Sequence, residues 1–217
     1  MEGGLSMVEN NNIEQALSKS KVIPVIVIDD SKKALLLAET LFNSGITCAE
    51  ITLRTNAAIE SLKVFSRFNK FTLGAGTITN IKQFHSAINA GAEFIVSPGF
   101  NEELAIESSK NNIKYIPGCC TPSDIQNAIN NSIKLLKFFP SEAFGGVKTL
   151  KALSGPYSNV SFIPTGGIKT NNIRKYLYLD CVIACGMTEI VDQKLIVNSD
   201  FDTISKLSKE VINEISI

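Results

Sequence analysis

The chain has 217 residues, with 44% apolar and 19% charged content, the profile of a globular chain with one substantial core and not of a disordered one. Lys+Arg and Asp+Glu both number 21, so the formal net charge is zero and no basic block marks a nucleic-acid surface. The single histidine, His85, excludes sites built from several histidines, and the five cysteines, with no CxxC pair, read as buried thiols of a reducing compartment.

Taken in order, residues 1–8 read as a loose leader, and a short helix is expected over 11–20 with Ile13, Ala16 and Leu17 on one face. The leader lacks a basic region followed by an apolar core, so it does not read as a signal peptide, and no apolar run approaches a membrane span. A cytoplasmic protein is expected. From residue 21 a pattern repeats: an apolar run, a helix-periodic polar segment, a short Gly/Asn/Ser break, then another apolar run. The strand candidates are 22–28, 48–53, 71–77, 93–99, 115–119, 135–140, 160–166 and 181–186. They recur at about 20–27 residues, the size of one β/α step. Breaks before strands include NSGIT, NAGAE, KNNIK and NNSIK. A final helix over 202–215, with Asp200 or Asp202 as its cap, closes the series. Eight strands with helices between them allow an open doubly wound sheet or a (β/α)8 barrel. Their similar lengths favour a single-domain α/β (β/α)8 TIM barrel over 21–217.

In such a barrel the chemistry sits at the C-terminal ends of the strands. There the chain places LRT, GAGT, SPG, PGCCT, KFFPSE, PTGG and CGMT. The most informative stretch is IKLLKFFPSEAFGG, in which Lys137 lies among Leu135, Leu136, Phe138 and Phe139. A buried lysine is costly unless its charge is paired or its proton lost. Desolvation favours the neutral amine, which attacks carbonyls. Two readings stand: a Schiff-base nucleophile, or a strand-end lysine that snorkels to solvent. Alternation along AEITLRT puts Glu50, Thr52 and Arg54 on one face. Glu50 there is a proton shuttle and Arg54 a carboxylate fork, or the two form a structural ion pair. Thr77, after Gly74-Ala75-Gly76, offers a hydroxyl, with the glycines admitting a ligand or merely a tight turn. Pro98 makes a rigid turn that walls a pocket or is only a turn. Thr165-Gly166-Gly167 and Gly186-Met187-Thr188, after strands 7 and 8, stand where barrel enzymes hold phosphate; the alternative is two ordinary βα turns.

Together the ordered motifs VIPVIVI, EITLRT, GAGT, SPG, IPG, KFFPSE, GGVK and PTGGI, spread over residues 20–190, resemble the 2-keto-3-deoxy-6-phosphogluconate aldolase family, which includes 4-hydroxy-2-oxoglutarate aldolases. The resemblance implies a class I aldolase on a small barrel, a homotrimer, acting on a 2-oxo acid with no cofactor or metal and no nucleic-acid or membrane partner. It places the family's Schiff-base lysine on Lys137 and its acid/base glutamate on Glu50. Carboxylate binding falls on Arg54 and Thr77, the pocket proline on Pro98, and phosphate binding on Thr165, Gly166 and Gly167. The chain departs from the family where many members have Gly-Gly-Ser: it carries Gly186-Met187-Thr188, then Glu189. A sugar-phosphate epimerase and a non-catalytic sugar-acid phosphate sensor are the competing readings.

Overall fold

The computed structural model describes residues 4–216 in backbone and 12–216 in side chain. It begins with helix α1 (Gly4–Ser20), so the helix expected over 11–20 starts seven residues earlier and takes in part of the leader; residues 1–3 lie outside the described residues. Strands and helices then alternate: β1 (Val22–Ile26), α2 (Ala34–Asn43), β2 (Cys48–Thr52), α3 (Ala58–Phe68), β3 (Thr72–Gly76), α4 (Ile81–Asn89), β4 (Phe94–Val96) and α5 (Glu102–Lys110). The second half continues with β5 (Lys114–Ile116), β6 (Gly118–Cys119), α6 (Pro122–Asn130), β7 (Leu135–Phe138), α7 (Gly146–Ser154), β8 (Ser161–Pro164), α8 (Ile173–Leu177), β9 (Cys185–Met187), α9 (Gln193–Val197) and α10 (Phe201–Ser216).

The helix stops repeat one device. At Gly45, Gly91, Asn112 and Ser132 the backbone turns left-handed, with φ of 90°, 98°, 54° and 62°. In each case the next amide bonds back into the last helical turn: Ile46 to Leu41, Ala92 to Ala87, Ile113 to Ser108 and Ile133 to Ala128. These are Schellman stops, in which the apolar residue after the left-handed one seals the helix end and starts the chain toward the next strand. They account for the breaks NSGIT, NAGAE, KNNIK and NNSIK. Helix starts are capped by side chains. Asn80 and Asn101 accept from Gln83 N and Leu104 N, Thr121 and Asp124 form a reciprocal capping box, and Asp200 accepts from Thr203 N at 3.1 Å.

All strand pairs are parallel. Six strands form one sheet in the order β5-β4-β3-β2-β1-β9, and three form another in the order β6-β7-β8. The architecture is therefore an α/β half-barrel of six parallel strands beside a three-stranded sheet, with nine short strands where eight of similar length are expected. The strand expected over 115–119 is two pieces, β5 and β6, because Pro117 has no N–H to give the ladder. The strand expected over 181–186 pairs only at Val182, through an isolated bridge to Phe162, and over β9.

Two apolar clusters follow from the strand period of two. One, between sheet and helices, takes Ala49, Ile51, Leu136 and Phe138. The other, on the concave side, takes Ile23, Cys48, Phe94, Val96, Ile116, Leu135 and Ile163. Leu17 of α1 belongs to the concave cluster, with Ile13 and Ala16 packed against it, so α1 covers the side where the strands begin. On β2 and β7 the first inward position is apolar (Cys48, Leu135) and the second is charged (Glu50, Lys137). A polar layer thus sits on an apolar floor, nearer the strands' C-terminal ends.

Candidate active site

Lys137 Nζ stands 3.1 Å from Glu50 Oε1 and 3.4 Å from Oε2, and the two side chains are only 7% and 6% exposed. The snorkelling alternative for Lys137 is therefore removed: the amine points inward from β7 to β2, 87 residues away in sequence. Glu50's partner is Lys137 and not Arg54, so the structural pair within AEITLRT is also removed. The Phe139 ring centroid lies 5.4 Å from Nζ, where its face attracts the ammonium form. Among the described side chains, no other buried carboxylate–amine pair of this kind faces the concave side.

Arg54 lies beyond the end of β2, so strand alternation does not set its direction. Strand β2 ends at Thr52, whose hydroxyl donates to Ile26 O at 2.9 Å, and the chain turns with Arg54 N donating to Thr52 O. From that turn the exposed Arg54 reaches sideways, its Nε donating to Thr77 Oγ1 at 3.1 Å. Thr77 holds a φ of 59°, an uncommon conformation for a β-branched residue. It aims the hydroxyl at the guanidinium, leaving the fork's other N–H groups to receive a carboxylate.

Pro98 is exposed, and its carbonyl packs so closely on strand β6 that a Cβ on Gly118 would stand 2.0 Å from it. Thr165 is buried, bridged to Gly186 across the gap between the two loops, with Thr165 N donating to Phe138 O at 2.9 Å. Gly166 and Gly167 follow with φ of 100° and 77°, a backbone that side chains resist. Asn172 pins this loop, its Nδ2 donating to Gly167 O and its Oδ1 accepting from Lys169 N. Met187, expected with Gly186 and Thr188 where barrel enzymes hold phosphate, is a strand residue. It lies within β9 and its side chain is fully buried in the cluster between sheet and helices, so only its backbone can meet a ligand. Thr188 is exposed beside it.

Two further features tie the loops around the site together. Tyr176 of α8 is buried and donates to Glu142, while Ser141 Oγ donates to Tyr176 at 2.9 Å. Burial, and then the bond to Glu142, push the tyrosine hydroxyl up to about 12, so it stays a donor. Glu142 N donates to Gly166 O and Ser141 N to Thr165 O, joining the loop after Lys137's strand to the Gly166-Gly167 loop. The second feature is Glu189, whose Oε2 accepts from both Thr170 N (2.8 Å) and Thr170 Oγ1 (3.0 Å). Neither contact has a sequence signal, because each joins residues at spacings that no helical or strand period selects. Of the paired cysteines, Cys119 is buried, with its thiol pushed up to about 12 by burial first and by Asp124 and Cys120 next. Cys120 is half-buried, with its Sγ 3.7 Å from Asp124 Oδ2.

No helix among the described residues is long and apolar enough to cross a membrane. The family model for KDPG and KHG aldolase matches residues 13–207. The 2-dehydro-3-deoxy-phosphogluconate aldolase of Haemophilus influenzae is 40% identical over 203 residues, covering 93% of this chain and 95% of its own. The KHG/KDPG aldolase of Escherichia coli K12 is 38% identical over 200 residues, covering 92% and 94%. Among solved structures, the KDPG aldolase from Legionella pneumophila, with pyruvate captured at low pH as a covalent carbinolamine intermediate, superposes with a TM-score of 0.88. Its identity is 40%, and the match covers 92% of this chain and 97% of that one. A lysine paired with a carboxylate on an apolar floor, and the agreement of sequence and fold over nine-tenths of the chain, lead to one statement: this chain belongs to the KDPG and KHG aldolase family.

Proposed function

We propose that this chain is a class I aldolase cleaving 2-dehydro-3-deoxy-6-phosphogluconate to pyruvate and glyceraldehyde 3-phosphate, and the shorter 4-hydroxy-2-oxoglutarate to pyruvate and glyoxylate. The buried contact of Lys137 with Glu50 at 3.1 Å carries the reading. An isolated buried charge pair gains little stability over apolar packing, so its place on a binding surface points to chemistry. A sensor would need the anion loops but no lysine–carboxylate pair, and an epimerase needs no Lys137.

In the reaction, Lys137 gives its proton to Glu50 and attacks the C2 ketone. Glu50 returns the proton to the carbinolamine hydroxyl, water leaves, and the C2 iminium forms. Glu50 then takes the C4 hydroxyl proton, directly or through water. The C3–C4 bond breaks toward the iminium, the aldehyde departs, and the enamine picks up a proton at C3 before hydrolysis frees pyruvate and Lys137. The iminium is the electron sink, so the step itself needs no metal. Arg54 and Thr77 hold the carboxylate beside C2, converting the attack into an oriented, unimolecular event. The Gly166-Gly167 loop and the Gly186–Thr188 turn receive the distal phosphate with backbone N–H groups and the Thr188 hydroxyl.

The bridges Phe162–Val182 and Thr165–Gly186, and the bond from Gly118 N of β6 to Ser97 O after β4, support closure of the two sheets into one eight-stranded barrel. Residues 21–217 then form one catalytic domain. A homotrimer follows from the family resemblance, and the five free thiols suit a cytoplasmic setting.

Borohydride reduction in the presence of pyruvate, followed by peptide mass spectrometry, tests the reading. A reduced pyruvate adduct on Lys137 is expected. A folded protein that stays unmodified overturns it.

A further inference from the structure

We propose that Glu189 is a positioning residue for the substrate's phosphate end: it clamps the loop after β8 onto the turn after β9, and so sets the preference for phosphorylated over unphosphorylated substrate. The inference rests on the aldolase reading above and deepens it at the site's distal end.

Glu189 opens a short 3-10 turn, Glu189–Val191, directly after Thr188. Its neighbours Met187, Ile190 and Val191 are buried, so the segment is anchored on both sides of Glu189 and the half-buried carboxylate has little freedom to swing away. On the facing loop, Ile168 is likewise buried and Asn172 holds the backbone at Gly167 and Lys169. One carboxylate oxygen of Glu189 joins these two anchored segments through Thr170 N and Thr170 Oγ1. The bridge Thr165–Gly186 fixes the same two loops at their inner ends. The gap between Gly166-Gly167 and Thr188 is therefore set at two points.

The charge matters as well. A free carboxylate beside a phosphate site would repel the ligand. Here the carboxylate oxygen is occupied by two donors of the loop, and hydrogen bonds to a charged acceptor are stronger than neutral ones. Glu189 spends its charge on holding the loop. Met187 supports this from below, because its buried side chain replaces the freedom a glycine would give the turn.

The experiment compares Glu189→Ala, Glu189→Gln and Thr170→Val for cleavage of 2-dehydro-3-deoxy-6-phosphogluconate and of 4-hydroxy-2-oxoglutarate, with melting temperature and borohydride trapping of pyruvate measured in parallel. Glu189→Ala is expected to raise KM for the phosphorylated substrate roughly tenfold, with kcat and turnover of the unphosphorylated substrate unchanged. Glu189→Gln should raise KM less than Glu189→Ala, because one amide oxygen can accept both Thr170 bonds but lacks the charge that strengthens them. Thr170→Val, which keeps the N–H, should fall between. Equal KM in all variants overturns the clamp. A lower KM in both Glu189 variants overturns it too, since the carboxylate would then act by repulsion. Parallel loss on both substrates with a lower melting temperature would reduce Glu189 to a structural residue and also overturns it. If the wild type itself fails to trap pyruvate, the aldolase reading falls and this inference falls with it; trapping with unaltered variants removes the clamp alone.

Discussion

Gly76 leaves the space that Glu50 occupies: a Cβ at residue 76 would stand 2.0 Å from Glu50 Oε1 and 2.7 Å from its Cδ. Strand β3 pairs with β2 so that Gly76 lies beside Thr52, two residues beyond Glu50. The side chain of Glu50 leans across that gap on its way to Lys137. GAGT therefore does more than permit a turn or the approach of a ligand, because its last glycine makes room for a carboxylate of the neighbouring strand.

Gly76→Ala should consequently displace the Glu50 carboxylate and leave the sheet standing, since the side chain yields more readily than the backbone. A loss of kcat of at least about tenfold, with a melting temperature within a few degrees of wild type, is expected. Steady-state kinetics beside a thermal melt checks it, and an unaltered kcat would show that Glu50 needs no such space.

Lys137 and Glu50 should respond differently to removal. Lys137→Ala leaves a carboxylate buried and unpaired, which costs about 3–5 kcal/mol where a buried pair is broken. Lys137→Met keeps the packing of the stem but leaves Glu50 equally unpaired, and both variants should lose pyruvate trapping completely. Glu50→Gln keeps a polar partner for the amine and should fold normally while turnover falls about 10²–10⁴-fold. Urea unfolding and single-turnover kinetics separate the two effects.

Arg54→Lys should not be conservative. The ammonium cannot offer a planar fork, and it loses the Nε bond to Thr77 Oγ1. KM for 2-oxo acids is expected to rise about tenfold or more while the melting temperature stays put, because Arg54 is exposed. A lysine variant with wild-type KM would remove Arg54 as the carboxylate holder.

Thiol alkylation should be slow at neutral pH. Burial pushes Cys48 up to about 11 and Cys119 up to about 12, and it raises Cys185 as well. The thiolate is the reactive form, so these three should label only once the chain unfolds. Label in the native protein should fall first on the half-buried Cys181, with Cys120 slower because burial and Asp124 both hold its thiol protonated. Iodoacetamide mass mapping with and without denaturant reads this directly. Rapid native labelling of Cys119 would mark it as a reactive group of the site.

The site was partly legible from local patterns, with one misreading for each place where a local rule meets a distant neighbour. Lys137 stood out because a charge interrupts an apolar run, and Glu50 because alternation put it on a strand's inward face. The same alternation does not reach Arg54, since β2 stops at Thr52 and a turn redirects the chain. Met187 was placed by its position after strand 8, where barrel enzymes hold phosphate, and only the structure shows that β9 extends through it and buries its side chain in the core. The strand expected over 115–119 ran through Pro117, and its split between two sheets depends on which neighbour needed the missing N–H.

What the sequence by itself determined is the set of strands, helices and stops, because period, caps and left-handed turn residues act within a few residues of one another. The four Gly/Asn/Ser breaks before strands belong to that set. Only the tertiary structure decided that Lys137 meets Glu50 across 87 residues, that Gly76 clears the way between them, and that Glu189 spans to Thr170. Such contacts depend on strand register and on the curvature of the sheets, which are fixed when distant faces bury one another, and no local period records them.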